Sequence, residues 1–207
     1  MLTPELLSEY DANAPTETST ATFGLGCFWG PDAAAGAMDG VVRTRVGYAG
    51  GTKPDPSYEV IGDHTEVVQV EYDSTTLSFS DLLDWAFSEH SPRRQSSKRQ
   101  YQNIVFTETA AQREQLRAFL DDSDLRRQQV ETRLEPPDEF YLAESYHQKF
   151  QLRSQRWITD VFDELQYDAE AIRESPAAAR LNAHAAGQDV AAPFLPESYD
   201  PTSRRDG

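Results

Sequence analysis

Two segments of this chain alternate apolar and polar side chains with period two, Val41 to Tyr48 and Glu66 to Tyr72, and a Gly-, Pro- and Asp-rich connection joins them. Such alternation puts successive side chains on opposite faces of a sheet, so both are predicted to be half-buried strands. Thr20 to Gly24 reads as a buried strand, and Pro31 suits the first turn of a helix running through the Ala-rich stretch to Met38 and ended by Gly40. Further along, Ser80 is predicted to cap a helix bearing Leu82, Leu83, Trp85, Ala86 and Phe87. A basic loop from Ser91 to Arg99, a strand near Asn103 to Phe106, a helix from Thr109 to Leu120 and an edge strand from Gln128 to Leu134 follow. Pro136 and Pro137 close that strand before a helical Glu144 to Phe150 region. Strands and helices mixed in this order predict an α+β domain, a sheet with helices packed over it. The 207 residues suffice for one domain, predicted over 20–187. It is flanked by a polar arm, 1–19, with a short helix around Leu6, and a polar tail, 188–207.

Charge narrows the partners. With 35 acidic against 19 basic residues the net charge is −16, which would repel nucleic acid and anionic membrane surfaces. An acid excess of this size suits high salt, where dense surface carboxylates keep a protein hydrated. One cysteine fits a reducing compartment. No run approaches the ~18 apolar residues of a membrane span, and the N-terminus lacks a signal-peptide pattern. A cytoplasmic, monomeric protein is expected.

The sole thiol, Cys27, lies in Gly24-Leu25-Gly26-Cys27-Phe28-Trp29-Gly30-Pro31, after a strand and before a helix. Unpaired N–H groups and the positive end of the helix dipole at a helix start stabilise a thiolate, which makes Cys27 a candidate nucleophile. A disulfide within the chain is impossible without a second cysteine, and one Cys with four scattered His gives no zinc-ligand spacing. No metal site is therefore expected. An inert buried Cys is the plain alternative.

Gly-Cys-Phe-Trp-Gly resembles the active-site signature of the A-type peptide methionine sulfoxide reductases. Val46-Gly47-Tyr48-Ala49-Gly50-Gly51, His64-Thr65-Glu66-Val67-Val68, Arg99-Gln100-Tyr101 and Ala143-Glu144-Ser145-Tyr146-His147-Gln148 match in the family's order. The resemblance implies a mixed two-layer α/β sandwich and thiol-dependent reduction of methionine-(S)-sulfoxide, free or in proteins, as repair of oxidative damage. It implies no bound cofactor. A sulfoxide becomes electrophilic at sulfur only when its oxygen is protonated or strongly hydrogen-bonded. Cys27 would attack the sulfur and become a sulfenic acid, while Phe28 and Trp29 would wall the pocket for the ε-methyl group. Glu66 shares a strand face with Val68, Val70 and Tyr72, so desolvation would bias its carboxyl toward the protonated form of a general acid. Tyr48 and Tyr101 would donate to the sulfoxide oxygen, with Tyr146 and His147 as supports.

Two departures from the family pattern follow. Ser96 stands where many members carry a substrate-binding aspartate, in a shortened loop with Arg93, Arg94, Lys98 and Arg99. Gly30 stands where some relatives have a second cysteine, and the tail has none, so an external thiol must resolve the sulfenic acid: thioredoxin, glutaredoxin or a low-molecular-weight thiol. The competing reading is a cysteine-dependent acyl-transfer hydrolase with His64 or His147 as base. A binding module for oxidised methionine would follow only from a buried thiol or a lost acid.

Overall fold

The computed structural model describes residues 2–123, 125 and 129–195. Six strands form one sheet: β1 (Ser19–Leu25), β2 (Val41–Ala49), β3 (Thr65–Tyr72), β4 (Asn103–Phe106), β5 (Arg133–Glu135) and β6 (Tyr141–Leu142). Their order is β5-β4-β1-β3-β2-β6, antiparallel throughout except for the parallel pair β4 and β5. Helices pack over the sheet, which makes the α+β domain expected from the pattern of elements and the mixed sandwich implied by the resemblance. They are α1 (Pro4–Ala12), α2 (Trp29–Ala37), α3 (Phe79–Ser88), α4 (Ala110–Asp122), α5 (Phe150–Arg153), α6 (Arg156–Glu164), α7 (Ala169–Glu174) and α8 (Pro176–Ala185).

The register β2 to β3 pairs Tyr48 with Glu66 and Val46 with Val68, so these four side chains share one sheet face. That face carries the main core, where Phe23, Val68 and Val70 meet Phe28 and Ala35, the α3 residues Leu82 and Leu83, and Leu116 of α4. The predicted half-burial of β2 and β3 is corrected: along both strands only Arg43, Arg45 and Gln69 keep partial exposure. The second face is also closed, by Phe140 against Ala49, Val67, Ile104 and Phe106 and by Glu71 pairing with Arg43 and Arg45. Alternation there reflects paired charges rather than open solvent.

Local chemistry corrects three boundaries. The cap of α3 is Ser78, whose hydroxyl accepts from Asp81 N while the Asp81 carboxylate accepts from Ser78 N; Ser80 lies inside the first turn. Residues 145–149 form turns, and helix begins only at Phe150, after Lys149 at φ +53°. The Gln148 amide keeps that segment non-helical, donating to Val46 O and Ala143 O and accepting from Val46 N, in place of a strand partner at the β2 edge. The predicted edge strand shrinks to Arg133–Glu135, while its first residue, Gln128, lies outside the described residues.

The arm and tail readings are corrected as well. Thr3 caps α1, Pro4 occupies its first turn, and Leu7 is fully buried. Leu7 joins Leu152, Ile158, Phe162, Leu181, Val190 and Phe194 in a second core, so residues 188–195 pack as part of the fold. Residues 196–207 lie outside the described residues. This second cluster reaches the sheet through α8, which lies directly on α2: a Cβ at Gly36 would stand 2.5 Å from Ala179 O.

Candidate active site

Cys27 sits in the turn between β1 and α2. Gly26, at φ +82°, lets the chain leave the sheet where an L side chain would be strained, and Cys27 itself is exposed. Beneath it Glu66 is almost wholly buried, at 1% exposure. Its Oε2 accepts from Phe28 N at 3.1 Å and its Oε1 from Gln100 Nε2 at 2.7 Å. Cys27 is an electrostatic neighbour of the same carboxyl. Burial pushes the Glu66 carboxyl above the ordinary carboxylate range, against these two hydrogen bonds.

The thiolate expected from a helix start is corrected. Helix α2 begins at Trp29, with Phe28 as its N-cap, so Cys27 lies outside it and gains one opposing contact, the Trp29 N–H. Local desolvation and the neighbouring Glu66 outweigh that contact and push the thiol up. Burial thus acts on both groups in the same direction, raising thiol and carboxyl alike, while the interaction with Cys27 by itself favours the charged form of Glu66.

The predicted tyrosines converge on this pair by different routes. Tyr48, fully buried opposite Glu66, donates from Oη to Glu144 Oε2 at 2.7 Å. Tyr101 ends the short 3₁₀ turn Arg99–Tyr101, hydrogen-bonds Tyr58, and has its phenol pushed up by desolvation and then by Glu66. The adjacent aromatics diverge. Phe28 is a core residue, 6.0 Å from the Tyr48 ring and 5.1 Å from that of His147. Trp29 keeps partial exposure, stacks at 3.6 Å on Phe150 and donates from Nε1 to His147 Nδ1 at 3.2 Å. His147 Nε2 is buried and unpartnered among the described residues. Tyr146 is half exposed over the same imidazole. Ser96 is engaged within its own loop, its hydroxyl accepting from Lys98 N.

Four further residues complete the site without having been assigned a role from sequence. Gln100 and Glu144 lie inside matched motifs but face inward only through tertiary contact. Phe150 was read as the end of a helix. Tyr58, whose N–H donates to Glu144 Oε1 at 2.9 Å, lies in the Gly/Pro-rich connection, and no local pattern marks it. No group of three or more His, Cys, Asp or Glu among the described residues could hold a metal ion, and no described helix is long and apolar enough to cross a membrane.

A thiol backed by a buried carboxyl needs a substrate that takes up a proton as the sulfur attacks. An acyl-transfer hydrolase would instead set an imidazole against the thiol, yet His64 Nε2 is engaged with Lys53 O and His147 Nδ1 with Trp29. The fold and site define a thiol-dependent oxidoreductase. The peptide methionine sulfoxide reductase family model matches residues 19–176, and the chain belongs to that family, which reduces methionine sulfoxide. It is 38% identical over 172 residues to the peptide methionine sulfoxide reductase of Drosophila melanogaster, covering 82% of this chain and 69% of that one. It is 42% identical over 142 residues to that of Methanothermobacter thermautotrophicus, covering 63% and 84%. Among solved structures, methionine sulfoxide reductase A of Corynebacterium diphtheriae superposes with a TM-score of 0.55 at 30% identity, covering 67% of this chain and 76% of that chain.

Proposed function

We propose that the enzyme reduces the S epimer of methionine sulfoxide, free or in oxidised proteins, through a sulfenic acid on Cys27. The observation that carries this reading is the buried Glu66 carboxyl, its pKa raised by burial, held by Phe28 N at 3.1 Å one residue from the exposed Cys27. Cys27 Sγ attacks the sulfoxide sulfur while Glu66 protonates the oxygen. The oxygen then passes to Cys27: the substrate S–O bond and the transient Sγ–S bond break as an Sγ–OH bond forms, methionine leaves, and the thiol proton restores Glu66, so sulfur in the substrate is reduced as Cys27 is oxidised. Tyr101, and Tyr48 after exchanging its bond to Glu144, donate to the oxygen as charge develops there. Trp29 and Phe28 receive the methyl group and set the epimer preference.

With one cysteine in the chain, the sulfenic acid is resolved from outside. One external thiol displaces water to give a mixed disulfide, and a second releases Cys27 and a disulfide product. Thioredoxin, glutaredoxin or a small thiol fills this role. The net charge of −16 supports a monomer suited to high salt, with neither nucleic acid nor an anionic membrane as partner, and we place it in the cytoplasm.

The test is a single turnover without reductant on the separated epimers. The S epimer should release one methionine per chain, with a dione probe labelling Cys27, and the R epimer should release none. Two methionines per chain, equal reaction of both epimers, or no trappable sulfenic acid would refute it.

A further inference from the structure

Behind the site lies a buried polar cluster that the reaction above does not use. Lys149 is fully buried; its Nζ lies 3.3 Å from Asp32 Oδ1 and donates to Thr44 O at 2.6 Å and Thr44 Oγ1 at 3.0 Å. Asp32, also fully buried on α2, accepts from the Thr44 hydroxyl, from Lys149 N at 3.3 Å and from Asn182 Nδ2 at 3.1 Å. Asn182, on α8, turns its Oδ1 to the first N–H groups of α5, Gln151 N at 3.0 Å and Leu152 N at 3.1 Å. One side chain thus joins the start of α2, which carries Trp29, to the start of α5, which carries Phe150 stacked on Trp29. A buried ion pair is a poor source of net stability but a strong constraint on geometry, and here the turn holding it places Lys149 in the left-handed region at a cost that the cluster must offset.

We propose that the Asp32–Lys149–Asn182 cluster positions the Trp29–Phe150–His147 wall of the substrate pocket, and that Asn182, a residue of α8 beyond the segment matched by the family model, is a positioning residue for sulfoxide binding. The cluster does not reach the reacting pair, because Cys27 and Glu66 are held from β3, Phe28 N and Gln100. The inference rests on the assignment of Trp29 to the substrate.

The experiment compares Asn182→Ala with Arg180→Met on N-acetyl-methionine-(S)-sulfoxide. Arg180 ties the same two helices at the far end of α2, donating to Gly36 O at 3.2 Å and Ala37 O at 2.9 Å, so its loss reports helix docking alone. Asn182→Ala should raise KM about tenfold, the effect of one or two buried hydrogen bonds expressed as positioning, with the rate of Cys27 alkylation by iodoacetamide within twofold of wild type. Arg180→Met should lower Tm with KM unchanged. An unchanged KM in Asn182→Ala, an equal KM rise in Arg180→Met, or alkylation falling in step with activity would overturn the inference. If Asn182→Ala does not fold, the near-isosteric Thr44→Val, which removes one bond to Asp32 and one to Lys149, should raise KM in the same direction; no rise refutes it. Trp29→Ala separates the two levels. An unchanged KM there refutes the assignment of Trp29, whereas a raised KM there with an unchanged KM in Asn182→Ala refutes only the role of the cluster.

Discussion

Replacing Glu66 by Gln removes the titrating proton while keeping size and shape, and its cost can be worked out from the contacts. The carboxylate accepts from Phe28 N and Gln100 Nε2 on separate oxygens. A glutamine offers one acceptor oxygen, so one of these bonds is lost, a net effect of about 0.5–1.5 kcal/mol. If that bond contributed equally to transition-state binding, it would slow the reaction by roughly 2- to 10-fold. Loss of a general acid costs ~10²- to 10⁴-fold, so the two explanations are separable by size. The sign of the pH effect is a second check. Burial raises the Glu66 pKa in the fold, so the stability associated with its neutral form is complete below the unfolded value, 4.5, and is lost as pH rises through the folded one. Glu66→Gln carries no such loss; its Tm should lie below wild type near pH 4 by about 1–4 °C, with the gap narrowing as pH rises. The Cys27 alkylation midpoint should also fall, because the Glu66 charge that holds the thiol up is gone. Rapid-quench measurement of methionine release, melting curves and alkylation by iodoacetamide across pH read the three in turn. A loss below tenfold in the sulfenic-acid step, with the fold intact, would refute Glu66 as proton donor.

Two further outcomes test the packing. Desolvation alone would raise Glu174, but hydrogen bonds from Arg45 and Arg173 hold it down at about 2. With the site still partly exposed, the shift from 4.5, an upper bound near ~3 kcal/mol, is reduced by solvent screening to about 1 kcal/mol. Wild type should therefore exceed Glu174→Gln in denaturant stability by that amount at pH 7, the difference shrinking between pH 4.5 and about 2; a difference independent of pH would refute the pairing. Leu7→Ala should cost about 2–5 kcal/mol if α1 is integral to the second core, and a change below ~0.5 kcal/mol, the size seen at surface positions, would show that the N-terminal segment does not dock.

The sheet was legible because β2 and β3 carry period-two alternation and β1 and β4 read as short strands, and α4 because Thr109 is a plain N-cap to an amphipathic stretch. Residues carrying several family motifs at once, Cys27, Glu66 and Tyr101, were found from sequence and fall together in space. What escaped was decided by contact across the chain. Leu7, Val190 and Phe194 lie in segments whose composition reads polar, and only packing with Leu152, Ile158, Phe162 and Leu181 makes them core. Residues 145–149 have helical character in sequence, yet the Gln148 amide finds Val46 and Ala143 and the turn stays open. Asn182 and Lys149 gave no signal, since a buried cluster assembled from four elements has no local spacing to read.

The Cys27 error shows how chemistry, more than fold, depends on distances of an ångström or two. A helix start just after a cysteine argues for a thiolate only if the cysteine lies within reach of several free N–H groups; here one N–H acts on it, and desolvation together with the Glu66 carboxyl outweighs that one. That carboxyl changes the logic of activation. Burial disfavours the charged form of both groups, and in the mechanism proposed above Glu66 gives its proton to the sulfoxide oxygen when the substrate arrives. Once the proton is on the oxygen, the thiol can pass its own proton to the carboxylate left behind, and the nucleophile forms at the moment the sulfur becomes electrophilic. A standing thiolate would react with any passing oxidant. A thiol activated by its substrate confines its reactivity to molecules that fit against Trp29 and reach Glu66 at the same time, a selectivity suited to an exposed cysteine with no second thiol in the chain to rescue it.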